Sequence, residues 1–299
     1  MVIPGGKTGL ALVLWSLSAC ATPRPLSRQA DPCTAVAFPA ALLAPGRVLL
    51  FGEFHGTREL PAAFGELVCS AALSGPVVVG LELPRSEAER VAAYLEAPDP
   101  EARGRLLQSS PFWTATYQDG RASEAMAALL ARLGALRTAG LPVEVFCFDQ
   151  DGDHPAAGRD GRMAQAIAAA VKSRPAARAL VLTGNLHART SPGVPWDATF
   201  EPMGQLLRAE GLDAVGLDFA GPAGTAWTCT DADAAHCGTH ALEPSAGGAP
   251  GVTRVAPPTP EGYSGRWSVP SLTASPPALA DERAPRAPRK PRLVQRAAA

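Results

Sequence analysis

Between residues 45 and 220, short uninterrupted apolar runs alternate with stretches whose apolar residues recur every three or four positions. Runs such as Val48-Leu49-Leu50-Phe51 and Val77-Val78-Val79 are too short for helices and carry no polar alternate, the pattern of strands buried on both faces. They predict strands over 47–52, 76–82, 143–148, 179–184 and 212–217. The helical spacing predicts helices over 59–73, 87–96, 123–138, 163–171 and 203–209; in the third, Met126, Leu129, Leu130, Leu133 and Leu136 mark one face. Ser86, with Glu89 three residues on, reads as a capping box at the start of the second helix. Strand and helix in turn argue for an α/β fold: a mixed, mostly parallel central sheet flanked by helices. Residues 244–262, rich in Pro, Gly, Ala and Ser, read as a loose loop, and 263–272 as one or two short strands returning at a sheet edge.

One weak internal duplication stands out. Val48-Leu49-Leu50-Phe51-Gly52-Glu53-Phe54-His55 and Leu180-Val181-Leu182-Thr183-Gly184-Asn185-Leu186-His187 are both apolar strands that end in Gly-x-x-His, giving two strand–GxxH–helix units.

The ends of the chain differ from its middle. Lys7, then the apolar stretch 10–17, then Leu17-Ser18-Ala19-Cys20 have the layout of an export signal closing on a lipobox, with Cys20 as the lipidated residue after cleavage. The apolar stretch is too short to span a bilayer as a mature helix. The expected organisation is a lipoprotein signal peptide at 1–20, a tether leading into the domain at 21–44, the α/β domain at 45–280 and a tail at 281–299. In that tail six basic residues against Asp281 and Glu282 leave a charge of +4, and its Pro/Ala-rich composition predicts a solvated, disordered segment. The expected location is the bacterial cell envelope, with the membrane as a partner through the lipid. A formal net charge of -1 for the whole chain gives no reason to expect nucleic acid.

Export bears on the six cysteines, because disulfides persist in oxidising compartments. Cys229 and Cys237, close together in a polar stretch, are the best pair, and Cys33 and Cys69, flanking the first strand and helix, are a second candidate. Cys147, within Val-Phe-Cys-Phe, reads as a buried free thiol. Cys229, His236, Cys237 and His240 match no familiar zinc spacing.

Four polar positions fall where strands end: Glu53 with His55, Glu82, Asp149, and His187. Side chains just past the carboxyl ends of parallel strands converge on the ligand crevice of an open sheet. Glycine at 52 and 184 permits close backbone approach there. An imidazole base with a carboxylate to hold its tautomer and a second carboxylate beyond is a chemically competent set. Each residue alone has a plainer reading as a loop or turn former; the coincidence of two motifs in a chain with five histidines favours a shared site.

Gly52-Glu53-Phe54-His55-Gly56-Thr57 with Glu59, the Leu81-Glu82-Leu83-Pro84 segment and Gly184-Asn185-Leu186-His187-Ala188 resemble the superfamily that joins Tiki proteases, TraB-like proteins, erythromycin esterases and ChaN haem-binding lipoproteins. Phe112-Trp113, Asp119-Gly120-Arg121 with Ser123, Phe148-Asp149, Arg159-Asp160 with Met163-Ala164, and Ser275-Pro276-Pro277-Ala278 are similar to the ChaN-like branch. The resemblance covers roughly residues 45–280 and implies an α/β fold with both histidine motifs facing one cleft. It does not imply one activity. Esterase-like members imply water activation by His55 with help from Glu53 and Glu82, Tiki-like members a divalent metal at the corresponding residues for peptide hydrolysis, and ChaN-like members haem binding for iron uptake.

The residues accommodate each scheme. A metal site would use His55, His187, Glu53 and Glu82, a donor set adequate for zinc, manganese or cobalt. Without metal, His55 is the base and Arg159 or Arg121 steadies an oxyanion, although both arginines also have a structural reading as partners of Asp160 and Asp119. Haem would need an axial ligand, for which Tyr117, Tyr94, Met203 and the two motif histidines are candidates. No Gly-x-Ser-x-Gly elbow or P-loop is present. The expectation is an envelope-anchored, hydrolase-like protein acting on peptide or ester bonds, with a non-catalytic haem-binding lipoprotein as the alternative. The ligand is accordingly a small molecule, a peptide or haem.

Overall fold

The computed structural model describes residues 1–2, 33–34, 36–151, 158–194, 196–245 and 249–279. The signal segment, Cys20, the tether up to residue 32 and the basic tail lie outside the described residues.

The strands are β1 (Val48–Glu53), β2 (Val77–Pro84), β3 (Val143–Asp149), β4 (Arg178–Gly184), β5 (Ala214–Ala220), β6 (Gly224–Cys229), β7 (Cys237–Leu242), β8 (Gly251–Arg254) and β9 (Tyr263–Ser268). The helices are α1 (Glu59–Ala72), α2 (Ala88–Glu96), α3 (Pro100–Gln108), α4 (Glu124–Thr138), α5 (Arg159–Lys172), α6 (Asn185–Ala188) and α7 (Met203–Ala209). Seven strands form one sheet in the order β3-β2-β4-β1-β5-β9-β8, parallel throughout except for the β8–β9 pair; β6 and β7 form a separate antiparallel hairpin.

Alternation along each strand divides the core in two. Leu49 and Phe51 of β1 pack with Val77, Val79 and Leu81 of β2 under α1 and α4, whereas Val48, Leu50, Val78 and Val181 face α5 and α7 on the other side. Both faces are covered, which is why these strands read as continuous apolar runs. Phe51 is fully buried, meeting Phe64 and Trp267 edge-on at 5.3 and 5.4 Å between ring centres; burying a side chain of this kind contributes about 1.5–3 kcal/mol. The Trp267 indole N–H donates to the Gly52 carbonyl (2.7 Å), so β9 reaches across and pins the end of β1.

The expected α/β architecture is the one observed, with local differences. Ser86 does not cap a helix: it lies in a 3-10 turn (Arg85–Glu87), its N–H donates to Asp151 Oδ1 (3.0 Å), and α2 begins at Ala88 with no side-chain cap. Helix α5 starts at Arg159, four residues before the expected start. Part of the supposed loose loop is β8, which covers β9 and moves it off the sheet edge. Cys33–Cys69 and Cys229–Cys237 are disulfide-bonded and Cys147 is a buried free thiol. Burial, then the Glu87 charge, push the Cys147 thiol up to about 12.

Candidate functional site

The strand order places β2, β4 and β1 side by side, so the carboxyl ends that carry Glu82, Gly184 and Glu53 are neighbours; Glu53 and Gly184 are direct register partners. Asp149 closes β3 on the far side of Glu82. Glu53, Glu82 and Asp149 are each at most 4% exposed. Three adjacent buried carboxylates require positive partners, because an unpaired charge in such a place costs several kcal/mol.

His55 and two arginines supply them. His55 Nδ1 is 3.0 Å from Glu53 Oε1, and Nε2 is 3.5 Å from Glu82 Oε1. Arg159 donates through Nε (2.8 Å) and Nη2 (2.8 Å) to Asp149, through Nη2 to Glu82 Oε1 (2.7 Å), and through Nη1 to His187 Nε2 (3.0 Å). Arg121 donates to Asp119 through Nη2 (2.8 Å) and to Asp149 Oδ2 through Nη1 (2.5 Å), which lies 3.6 Å from Glu82 Oε1. The second Glu82 oxygen accepts from the Thr183 hydroxyl (2.6 Å) and the Gly184 N–H (2.7 Å).

The tautomer of His187 follows from its partners. A guanidinium has no acceptor, so Nε2 must accept from Arg159, and the proton stands on Nδ1, where it donates to Asp160 Oδ1 (2.8 Å). The same Asp160 oxygen accepts the Met203 N–H (2.8 Å). For His55, burial alone would depress the pKa, but the Glu82 charge and the bonds to Glu53 and Glu82 outweigh it and push the imidazolium up to about 10. Burial likewise works against ionised Glu82, yet the His55 and Arg159 charges and the bond from His55 hold its carboxyl well below the usual range.

Loop packing fixes the rest. Gly56 has φ +74 and carries no β-carbon where the Trp227 carbonyl sits; Gly120, at φ +98, lies against the His55–Gly56 backbone. A side chain at either position would force apart the loops that carry His55 and Arg121. Ser275 joins the same loops: its N–H donates to Gly56 O (2.7 Å), while its hydroxyl accepts from the Ala125 N–H (2.9 Å) at the start of α4.

The structure therefore brings together Glu53, His55, Glu82, His187 and Arg159 from the expected set. It gives Asp149, already expected at a strand end, the role of the carboxylate that bridges both arginines. Arg159 does not pair with Asp160, as the structural reading expected; Asp160 binds His187 instead. Arg121 pairs with Asp119 as expected and also reaches the network through Asp149. Sequence reading passed over the orienting role of Asp160, for which adjacency to Arg159 was a misleading signal. Tyr117 is 44% exposed and is not part of the network.

A cavity of about 590 Å³ is lined by Arg121, Asp149 and Arg159 of this cluster together with Pro84, Phe112 and Ala115, while His55, His187, Glu53 and Glu82 stand behind that wall and do not line it. Among the described residues no group of three or more His, Cys, Asp or Glu side chains is placed to hold a metal ion. The cause is visible: Arg159 occupies both Glu82 Oε1 and His187 Nε2, so a guanidinium stands where a divalent cation would need its donors. As arranged, the set does not fit a metal. Of the haem candidates, Tyr94 donates its hydroxyl proton to Ala127 O (3.0 Å) and Met203 is buried in the core, whereas Tyr117 is exposed.

No protein-family model matches the chain, and no curated protein matches it in sequence. Several solved structures share its fold. A histidine-to-asparagine variant of the erythromycin esterase EreC, in its open conformation, superposes with a TM-score of 0.59 at 14% identity, covering 80% of this chain and 94% of its own. A protein from Bacillus cereus gives 0.55 at 9% identity over 79% and 91% of the two chains. A succinoglycan biosynthesis protein gives 0.54 at 8% identity over 77% and 89%. At these identities the likeness shows a common α/β fold.

Proposed function

We propose that the chain is a metal-independent hydrolase of esters, with His55 as the proton-transferring group and Arg121 and Arg159 as the cationic pair that stabilises the oxyanion. The observation that carries this reading is that a carboxylate-held imidazole, His55, and two guanidinium groups, Arg121 and Arg159, converge on one Glu82 oxygen, with both arginines also bound to Asp149 at the wall of the cavity. The fold shared with an erythromycin esterase supports the same reaction class.

In this reading His55 Nε2 takes a proton from water as the water oxygen attacks the acyl carbon. The carbonyl oxygen becomes an oxyanion facing the arginine pair, preorganised before substrate arrives. The proton then passes from His55 to the departing alkoxide, leaving acid and alcohol. Glu53 and Glu82 stabilise the imidazolium formed on the way, as the buried carboxylate does in serine hydrolases. The cost is that the basic form of His55 is scarce at neutral pH, because the same carboxylates push its pKa up to about 10.

The export reading is part of the proposal: the protein is lipidated at Cys20 and works in the bacterial envelope. The layout of residues 7–20 and the two disulfides support it.

The deciding experiment is hydrolysis of a panel of aryl esters and lactones by the chain with and without a strong chelator. Turnover that survives chelation and is lost in His55→Ala, with the fold intact, is expected. Turnover that vanishes with chelator and returns with zinc or manganese would sink the metal-free mechanism. A saturable Soret band on haem addition with no turnover would replace it with haem capture.

A further inference from the structure

A second polar cavity, of about 250 Å³, lies where Asp218 of β5 meets Tyr263 and Arg266 of β9 and the loop that enters β9, and shares no lining residue with the first. Helix α6 separates the two: Asn185 and Leu186 line this cavity, whereas His187 belongs to the network above.

Its charged groups are poorly matched within the protein. Asp218 and Arg266 are register partners on neighbouring parallel strands, so both rise on one face, yet neither forms an ion pair within 4 Å among the described residues. Arg189, which follows α6, likewise has no ionic partner among the described residues, and among them its buried Nε finds no hydrogen bond. Asp218 has a long bond from the Asn185 amide (3.4 Å), and burial pushes its carboxyl up to about 6. At the rim, the bonds that Glu261 accepts from its own backbone and from Thr259, and then the two arginines, keep its carboxyl ionised. Partly buried charges left without partners are costly, and ligand groups commonly relieve that cost.

The charge pattern selects the ligand. An anion alone would satisfy the arginines but bring negative charge to Asp218; a cation alone would do the reverse. A molecule with both signs a few ångströms apart satisfies all of them. With about 30 Å³ per water, the cavity holds roughly eight waters or one small organic molecule.

We propose that this cavity binds a small zwitterion of the α-amino-acid class, its carboxylate held between Arg189 and Arg266 and its ammonium on Asp218. A guanidinium pair suits a carboxylate because each can offer two parallel N–H donors. Tyr263, whose hydroxyl donates to the Asn185 carbonyl (2.7 Å), closes the cavity against α6.

Calorimetric titration of the folded chain with alanine tests this, with acetate and methylamine as probes of each charge alone. Saturable binding of alanine, about tenfold or more tighter than either half-probe, is expected. Arg266→Gln should weaken alanine and acetate alike. Asp218→Asn should weaken alanine and strengthen acetate, a reversal that misfolding would not produce. His55→Ala should leave binding unchanged, so the result stands apart from the hydrolase reading. Acetate binding as tightly as alanine would reduce the cavity to an anion site and overturn the proposal, as would the absence of saturable heat with alanine.

Discussion

His55 Nε2 lies 3.1 Å from the point where a β-carbon on Gly184 would stand, so the glycine of one Gly-x-x-His motif makes room for the histidine of the other. The relation is reciprocal: a β-carbon on Gly52 would lie 2.8 Å from the Asn185 Cα. Parallel pairing of β1 with β4, in a register that sets Glu53 beside Gly184, forces both contacts. The duplication in the sequence is thus a packing requirement as much as a chemical one.

The two glycines should respond differently to alanine. At Gly184 the backbone (φ -55, ψ 141) accepts any residue and the obstacle is a side chain, so Gly184→Ala should fold while displacing His55. Hydrolysis should fall about tenfold to a hundredfold, since small misplacements of a reacting group are costly. At Gly52 the obstacles are backbone atoms, Asn185 Cα and the Leu217 carbonyl at 3.0 Å, so Gly52→Ala should lose about 1–3 kcal/mol of stability. Denaturant titration together with kcat/KM separates the two outcomes; equal behaviour of both variants would argue against interlocked motifs.

Glu82→Gln should change the pH response of His55. In the native chain its pKa is raised from 6.5 to about 10, so the unprotonated base, and with it kcat/KM, should grow as pH rises from 7 towards 10. Removing the Glu82 charge should shift that rise to lower pH. Linkage has the same sign: a raised histidine contributes stability that is complete below about 6.5 and is lost as pH climbs through about 10. The native Tm should therefore decline across that window and decline less in Glu82→Gln. NMR titration of the His55 ring checks the assignment directly, and an unshifted midpoint in the variant would refute it.

How much of this was legible in the sequence follows from what local patterns encode. Buried parallel strands announce themselves as apolar runs, so β1 to β5 and the strand-end residues Glu53, Glu82, Asp149 and His187 were readable. Helix α3 was missed because only Leu107 of its nine residues is buried, leaving almost no apolar stripe. Strand β8 was missed because four residues within a Pro- and Gly-rich stretch carry little pattern; pairing with β9 makes it a strand. The metal expectation rested on counting donors. Which donors Arg159 occupies depends on the approach of α5 to the ends of β2 and β3, a long-range fact that no motif records.

Loop length should rank the disulfides. Cys33–Cys69 closes a separation of 36 residues and Cys229–Cys237 one of 8. Chain-entropy reasoning assigns them about 4 and about 2.5 kcal/mol. Serine replacement of the first pair should therefore cost more in denaturant titration. Replacing the second should loosen the hairpin that holds Gly56 through the Trp227 N–H (2.9 Å), lowering activity more than stability. If the second pair proved the more stabilising, the entropy argument would fail for this protein.

Asp160 offers the finest discrimination, because one oxygen does two things: Oδ1 accepts both from His187 Nδ1 and from the Met203 N–H, each at 2.8 Å. Asp160→Asn can keep its carbonyl oxygen on Met203 and hence on His187, preserving the tautomer while deleting the charge. Asp160→Ala removes both bonds and frees the ring, which would then cease to accept reliably from Arg159. If Asp160 acts by positioning, the asparagine variant should stay within about tenfold of the native kcat/KM and the alanine variant should fall about a hundredfold. Nitrogen chemical shifts of His187 supply a second readout, with the Nδ1–H form retained in asparagine and mixed in alanine. Equal losses in both variants, with the tautomer unchanged, would mean that the charge of Asp160 matters and the orientation of His187 does not.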